Sequence, residues 1–185
     1  MKKFIAIPLL LLLAACSGVK SSVTEASSSV TLPTAVSLLS VPMVLNPALL
    51  PASPSQESDK TVAGADVNNN GLRDDIEIWI ARKYPNSAKA RAAAAQLALV
   101  LQKKVASKNL TKESAYEIGK EVATAIQCFR NAITDHPALK DLMAVQYNTR
   151  ARVNAYGDFH SVMGGRAFRM PKGDTCSIPT DQLPN

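Results

Sequence analysis

The sequence predicts an all-α protein: a small bundle of about four helices that follows a proline- and serine-rich tether and closes on an irregular C-terminal tail. Three observations carry this expectation. Between positions 75 and 147, apolar residues recur three and four apart, the period of one helix face. Residues that start or stop helices fall between the periodic runs. No stretch of alternating β-branched residues offers itself as a strand.

In the first helix, 75–84, Ile76, Trp79, Ile80 and Tyr84 lie near one face. Pro85 ends it, because the residue before a proline is pushed out of helical geometry. Ser87 can offer its side-chain oxygen to the free N–H groups of a second helix running to about Ser107. Ala92 to Ala95 and Leu97 to Leu101 make that helix strong by propensity and apolar on most sides, which predicts deep burial. Asn109-Leu110 breaks it. Thr111 caps a third helix whose stripe is Ala115, Ile118, Val122, Ala125, Ile126, Phe129 and Ile133. Pro137 suits the first turn of a fourth, with Leu139, Leu142, Met143 and Tyr147 facing inward. After Gly157 the periodicity lapses into a glycine-containing tail. Short connections between amphipathic helices favour antiparallel neighbours, hence a bundle.

Residues 62–185 are the expected folded domain, and this length suits one core rather than two. Residues 16–61 differ in composition. Pro33, Pro42, Pro47, Pro51 and Pro54 exclude a long helix and a central strand, so the segment reads as a tether. Its Leu38-Leu39 and Met43-Val44-Leu45 are apolar enough to lie along the domain, a membrane surface or a partner, the domain being the simplest choice. Residues 62–185 carry 17 Lys and Arg against 12 Asp and Glu, a net charge of only +5. With no dense basic cluster and no interleaved aromatics, nucleic acid is not an expected partner.

The N-terminus reads Met1-Lys2-Lys3, an apolar run from Phe4 to Leu13, then Ala14-Ala15-Cys16. This is the layout of a secretory signal over 1–15, too short to span a bilayer core, which takes about 20 residues. Leu13-Ala14-Ala15-Cys16 resembles the lipobox of bacterial lipoproteins. The resemblance implies that Cys16 receives a diacylglyceryl group and becomes the first residue after cleavage. It further implies a lipid membrane partner in the cell envelope, and the outer membrane in particular because Ser17 rather than Asp follows. Each buried methylene of an acyl chain contributes about 0.8 kcal/mol, and two or more chains hold stably.

With Cys16 lipidated, Cys128 and Cys176 remain as an even pair in an oxidising compartment, which points to one disulfide. The alternative is two free thiols with Cys128 on a buried helix face.

The most chemically informative motif is Asp66-Val67-Asn68-Asn69-Asn70-Gly71-Leu72-Arg73-Asp74-Asp75-Ile76-Glu77. Calcium takes six to eight hard oxygen donors, and a tightly turning backbone can bring alternate side chains to one centre. The run resembles the EF-hand calcium loop over its whole length. That resemblance implies one calcium ion held by Asp66, Asn68 and Asn70, the backbone carbonyl of Leu72, Asp74 directly or through water, and a bidentate Glu77. Gly71 permits the sharp turn. Arg73 departs from the pattern, since an aliphatic residue normally pairs there with a second loop, and the chain has no second loop. A solitary loop followed by one helix is therefore expected. The plainer alternative is an Asn/Gly turn with acids that suit a helix start.

An enzyme is not expected. Neither a phosphate-cradling glycine loop nor a nucleophile elbow nor a zinc signature is present. His136 reads as a helix-start residue, and Asp158, His160 and Ser161 are too close in sequence to make a triad by themselves. The expected role is binding or scaffolding at the envelope, with calcium as cofactor. A second reading gives Arg150, Arg152, Arg166, Arg169 and Lys172 an anionic partner, an envelope protein or an anionic glycolipid, with calcium structural only.

Overall fold

A computed structural model describes residues 45–54 and 56–185. The segment read as a signal, Cys16 and the stretch read as a tether up to position 44 lie outside the described residues. Among the described residues there are five α-helices and no strand, so the protein is an all-α bundle. The helices are α1 (Asp74–Lys83), α2 (Ala88–Ala106), α3 (Lys112–Ala132), α4 (Ala138–Gln146) and α5 (Arg150–Met163).

Local chemistry sets most of these boundaries. The Ser87 hydroxyl accepts from Ala90 N–H at 3.1 Å and starts α2. Thr111 and Ser114 exchange side-chain and backbone bonds in a capping box that starts α3. Asn109 takes a left-handed φ of 53° in the break between them, a conformation that asparagine tolerates better than most residues. Each such cap contributes about 1 kcal/mol.

α2 is the central helix and packs against all four others. Ala92, Ala93, Ala94, Ala95, Leu97 and Ala98 are all buried, and the small alanine side chains let neighbouring backbones approach closely. The main core joins Leu72, Ile76, Ile80, Leu97, Leu101, Phe129 and Leu142. Burying side chains of this size contributes about 1.5 to 3 kcal/mol each. Leu45, which lies in the segment read as tether, is 5% exposed within this core, and its carbonyl accepts from Arg91 Nε at 3.1 Å.

The C-terminal region departs from expectation at one point: it opens with a helix, α5, before becoming irregular. Thr149 caps α5, and Gly164, at a φ of 58°, ends it. The helix escapes the periodicity reading because its inner stripe is Arg152, Phe159 and Met163, and the first of these is charged. Gly157 inside it is exposed, with open space around its α-carbon, and costs about 1 kcal/mol relative to alanine without breaking the helix.

Beyond α5 the chain runs back over α3 and α2. Phe168 lies on Gly119 of α3, where any Cβ would collide with its ring. Asn131 Nδ2 donates to the Gly173 carbonyl at 2.9 Å and Thr175 Oγ1 to the Thr124 carbonyl at 2.9 Å. Cys176 is disulfide-bonded to Cys128, which is fully buried on α3.

Candidate calcium site

The loop from Asp66 to Glu77 turns through two residues of positive φ, Asn69 at 54° and Gly71 at 86°. Glycine adopts the second without the Cβ penalty that other residues meet there. The turn is held by the Asp66 carboxylate, whose Oδ1 accepts from Asn70 N–H at 3.1 Å and Oδ2 from Gly71 N–H at 2.9 Å. Asn70 Oδ1 accepts from Leu72 N–H at 2.9 Å. The Leu72 side chain is fully buried in the main core and pins the loop to the bundle. Asp74 Oδ1 accepts from Val67 N–H at 3.0 Å. α1 follows immediately, with Asp74, Asp75 and Glu77 in its first turn at the positive end of the helix dipole. The element before the loop is a short 3-10 turn, Gln56–Lys60, rather than an α-helix.

Glu77 is where the loop converges. It is 2% exposed, and both asparagine amides reach it: Asn68 Nδ2 donates to Oε2 at 3.1 Å and Asn70 Nδ2 donates to Oε1. Burial holds the Glu77 carboxyl above the usual carboxylate range, the two amides pull it down, and the charges of Asp74 and Asp66 add to the rise. Asp74 is fully buried and its Oδ2 has no hydrogen-bond partner. Leaving such an oxygen dry costs about 1 to 3 kcal/mol, more when charged. Among the described residues no three Asp, Glu, His or Cys side chains are gathered closely enough to hold a metal by themselves. The donors nevertheless fit a hard cation: an orphaned buried carboxylate oxygen, a buried glutamate facing two acidic neighbours, and amides able to present oxygen after rotation.

Arg73 has a role that the loop motif does not foretell. It is fully buried, and its guanidinium grips Asp75 twice, Nε to Oδ1 at 2.8 Å and Nη2 to Oδ2 at 2.7 Å. The same group donates to the carbonyls of Gln146 at 3.0 Å and Val145 at 3.2 Å. Those carbonyls close α4, at the negative end of its dipole. The loop is thereby locked to the α4–α5 junction.

Arg152 does not belong to the basic C-terminal face expected for it. It is fully buried and points inward, to the carbonyls of Ser58, Thr61 and Val62 and to Asp59 Oδ1 at 3.0 Å. Arg150, Arg166, Arg169 and Lys172 remain exposed. Gly64 passes between the two buried arginines with a φ of 72°, and a Cβ there would stand 2.6 Å from Arg73 Cδ and 2.9 Å from Arg152 Nη2.

The two histidines sit apart from the loop residues in different settings. His136 is exposed before α4. His160 Nε2 lies 2.8 Å from Lys104 Nζ. Ser161 Oγ donates to the Gly157 carbonyl of its own helix at 3.0 Å. Lys104 was not singled out by sequence, although its spacing from Leu97 and Leu101 places it on the buried face of α2.

Comparison with protein-family models, curated proteins and solved structures finds no match to this chain.

Proposed function

We propose that the protein is a lipid-anchored cell-envelope protein whose helical domain is stabilised by one calcium ion and serves binding or scaffolding. Asp66, Asn68, Asn70, the Leu72 carbonyl, Asp74 and Glu77 hold the ion, and Cys16 carries the lipid. The observation that supports the calcium reading is the buried, incompletely compensated charge of Glu77 and Asp74 at the point where the loop side chains meet. A divalent cation supplies the missing charge, and in doing so it ties the loop, α1 and, through Arg73, the end of α4 into one unit. The support for the anchor is the order Leu13-Ala14-Ala15-Cys16 behind a charged and apolar N-terminus.

Calcium added to the purified full chain in detergent raises its thermal midpoint on this reading. At 100 times the dissociation constant, linkage gives about 2.7 kcal/mol, or about 8 to 15 °C for a chain of this size. A solitary loop falls in the weak affinity class of about 10⁻⁴ to 10⁻³ M, so the titration runs to tens of millimolar. Glu77→Gln removes most of the response, since it loses a charge and bidentate geometry together. Equal shifts with magnesium, which prefers a smaller octahedral shell, or no shift at all, would reduce the loop to an acidic turn. For the anchor, Cys16→Ser abolishes incorporation of labelled fatty acid and leaves the precursor uncleaved. A wild-type chain that takes up no label refutes the lipid reading.

A further inference from the structure

Between α2, α3, α4 and α5 lies a cavity of about 260 Å³, separate from the calcium loop. Its walls are apolar, formed by Leu101, Val122, Ile126, Leu139, Met143 and Phe168 among others. Into this setting α2 projects Lys104, which is 5% exposed. Among the described residues no carboxylate pairs with it. Its ammonium instead lies 4.2 Å from the centre of the Tyr156 ring and 4.9 Å from that of Phe159, and meets the His160 imidazole at the exposed rim.

Ring faces and one imidazole nitrogen compensate a buried ammonium only in part. Burial accordingly lowers the Lys104 amine to about 8, and His160 is lowered too, by burial first and by the Lys104 charge second. Apolar walls with a few convergent polar groups are the usual composition of a small-ligand site, and the volume, just below the usual range of about 300 to 1,000 Å³, limits the ligand to a small one. Leu139, Met143 and Tyr156 also wall an open groove of about 540 Å³ between α4 and α5, so cavity and groove share a boundary.

We propose that this cavity binds a small carboxylic acid with a compact apolar body, its carboxylate received by the Lys104 ammonium and its body by the apolar walls. One buried cation matches a single negative charge. A phosphate monoester, at about −1.5 to −2 near neutral pH, leaves charge unmatched in the same space. A charge-assisted bond from ammonium to carboxylate is also roughly twice as strong as one between neutral groups.

The test is calorimetric titration of the full chain in detergent, blanked against protein-free micelles, with cyclohexanecarboxylate and the neutral cyclohexanecarboxamide as probes. The carboxylate binds at least about tenfold more tightly than the amide, the difference a charged hydrogen bond makes. In Lys104→Met, which keeps the side-chain volume and removes the charge, that preference disappears. Equal affinity for the two probes, no binding of the carboxylate, or a preference that survives Lys104→Met would each overturn the proposal. The comparison of probes on the wild-type chain needs no variant, so a folding defect in Lys104→Met does not rescue it. Neither titration depends on calcium, so its failure is distinct from failure of the calcium reading.

Discussion

Replacing both Cys128 and Cys176 by alanine is expected to lower the stability of the protein by about 4 kcal/mol. The bridge closes a loop across a sequence separation of 48, and cross-linking over such a distance removes about that much conformational entropy, expressed as free energy, from the unfolded chain. Alanine at both positions avoids leaving a free thiol, and Cys128, which is fully buried, tolerates a small apolar replacement better than a hydroxyl. The thermal midpoint falls by about 12 to 20 °C for a chain of this size. The loss is local as well as global. Without the bridge, residues 164–185 keep only scattered bonds such as those of Asn131 to Gly173 and Thr175 to Thr124, so their amides exchange faster than those of α2. Denaturant titration read beside hydrogen exchange checks both halves. A midpoint drop under about 4 °C would mean that hydrogen bonds and Phe168 hold the tail without the disulfide.

Arg73→Met is expected to cost about 3 kcal/mol, or about 10 °C in thermal midpoint. The methionine fills much of the same space, so the loss is electrostatic. Asp75 loses a bidentate partner, and the carbonyls of Val145 and Gln146 lose their donors in a buried setting. Breaking a fully buried pair by removing one partner costs about 3 to 5 kcal/mol. The lower end applies because the Asp75 side chain is 24% exposed and water can reach it. A double-mutant cycle separates the ion pair from the carbonyl bonds. Asp75→Asn costs less in the Arg73→Met background than in the wild type, by the coupling energy of the pair. If the two substitutions add without coupling, the Arg73–Asp75 contact contributes nothing and the carbonyls carry the effect.

The five helices differ in how far they announce themselves. α2 and α3 are legible because each carries its own start signal, Ser87 or Thr111, and a long apolar stripe, interrupted by charge only at Lys104 near the end of α2. Those are local properties, decided within a few residues. α5 has a start signal too, Thr149, but its inner face begins with Arg152. An arginine reads as surface until a set of carbonyls 90 or more positions away is brought to it. The loop from Asp66 to Glu77 divides in the same way. Asp66, Asn68, Asn70, Asp74 and Glu77 are spaced by a local backbone turn, so their grouping is readable. That Asn68 and Asn70 turn their amide groups onto Glu77 depends on the turn's three-dimensional path.

Sequence alone determined the helical class, the caps at Ser87 and Thr111, the two domain cysteines available to pair and the loop where a cation is expected. Each follows from spacing along the chain or from a count of residues. Tertiary structure alone decided the environment of three charged side chains, Arg73, Arg152 and Lys104. Their burial rests on partners far off in sequence, Val145 and Gln146 for the first, Ser58 to Val62 for the second, His160 and Tyr156 for the third. A long cationic side chain on a helix or loop is sequence-neutral between solvent and core. The choice depends on whether enough acceptors or ring faces converge to replace its water, and only the packing of the bundle supplies them.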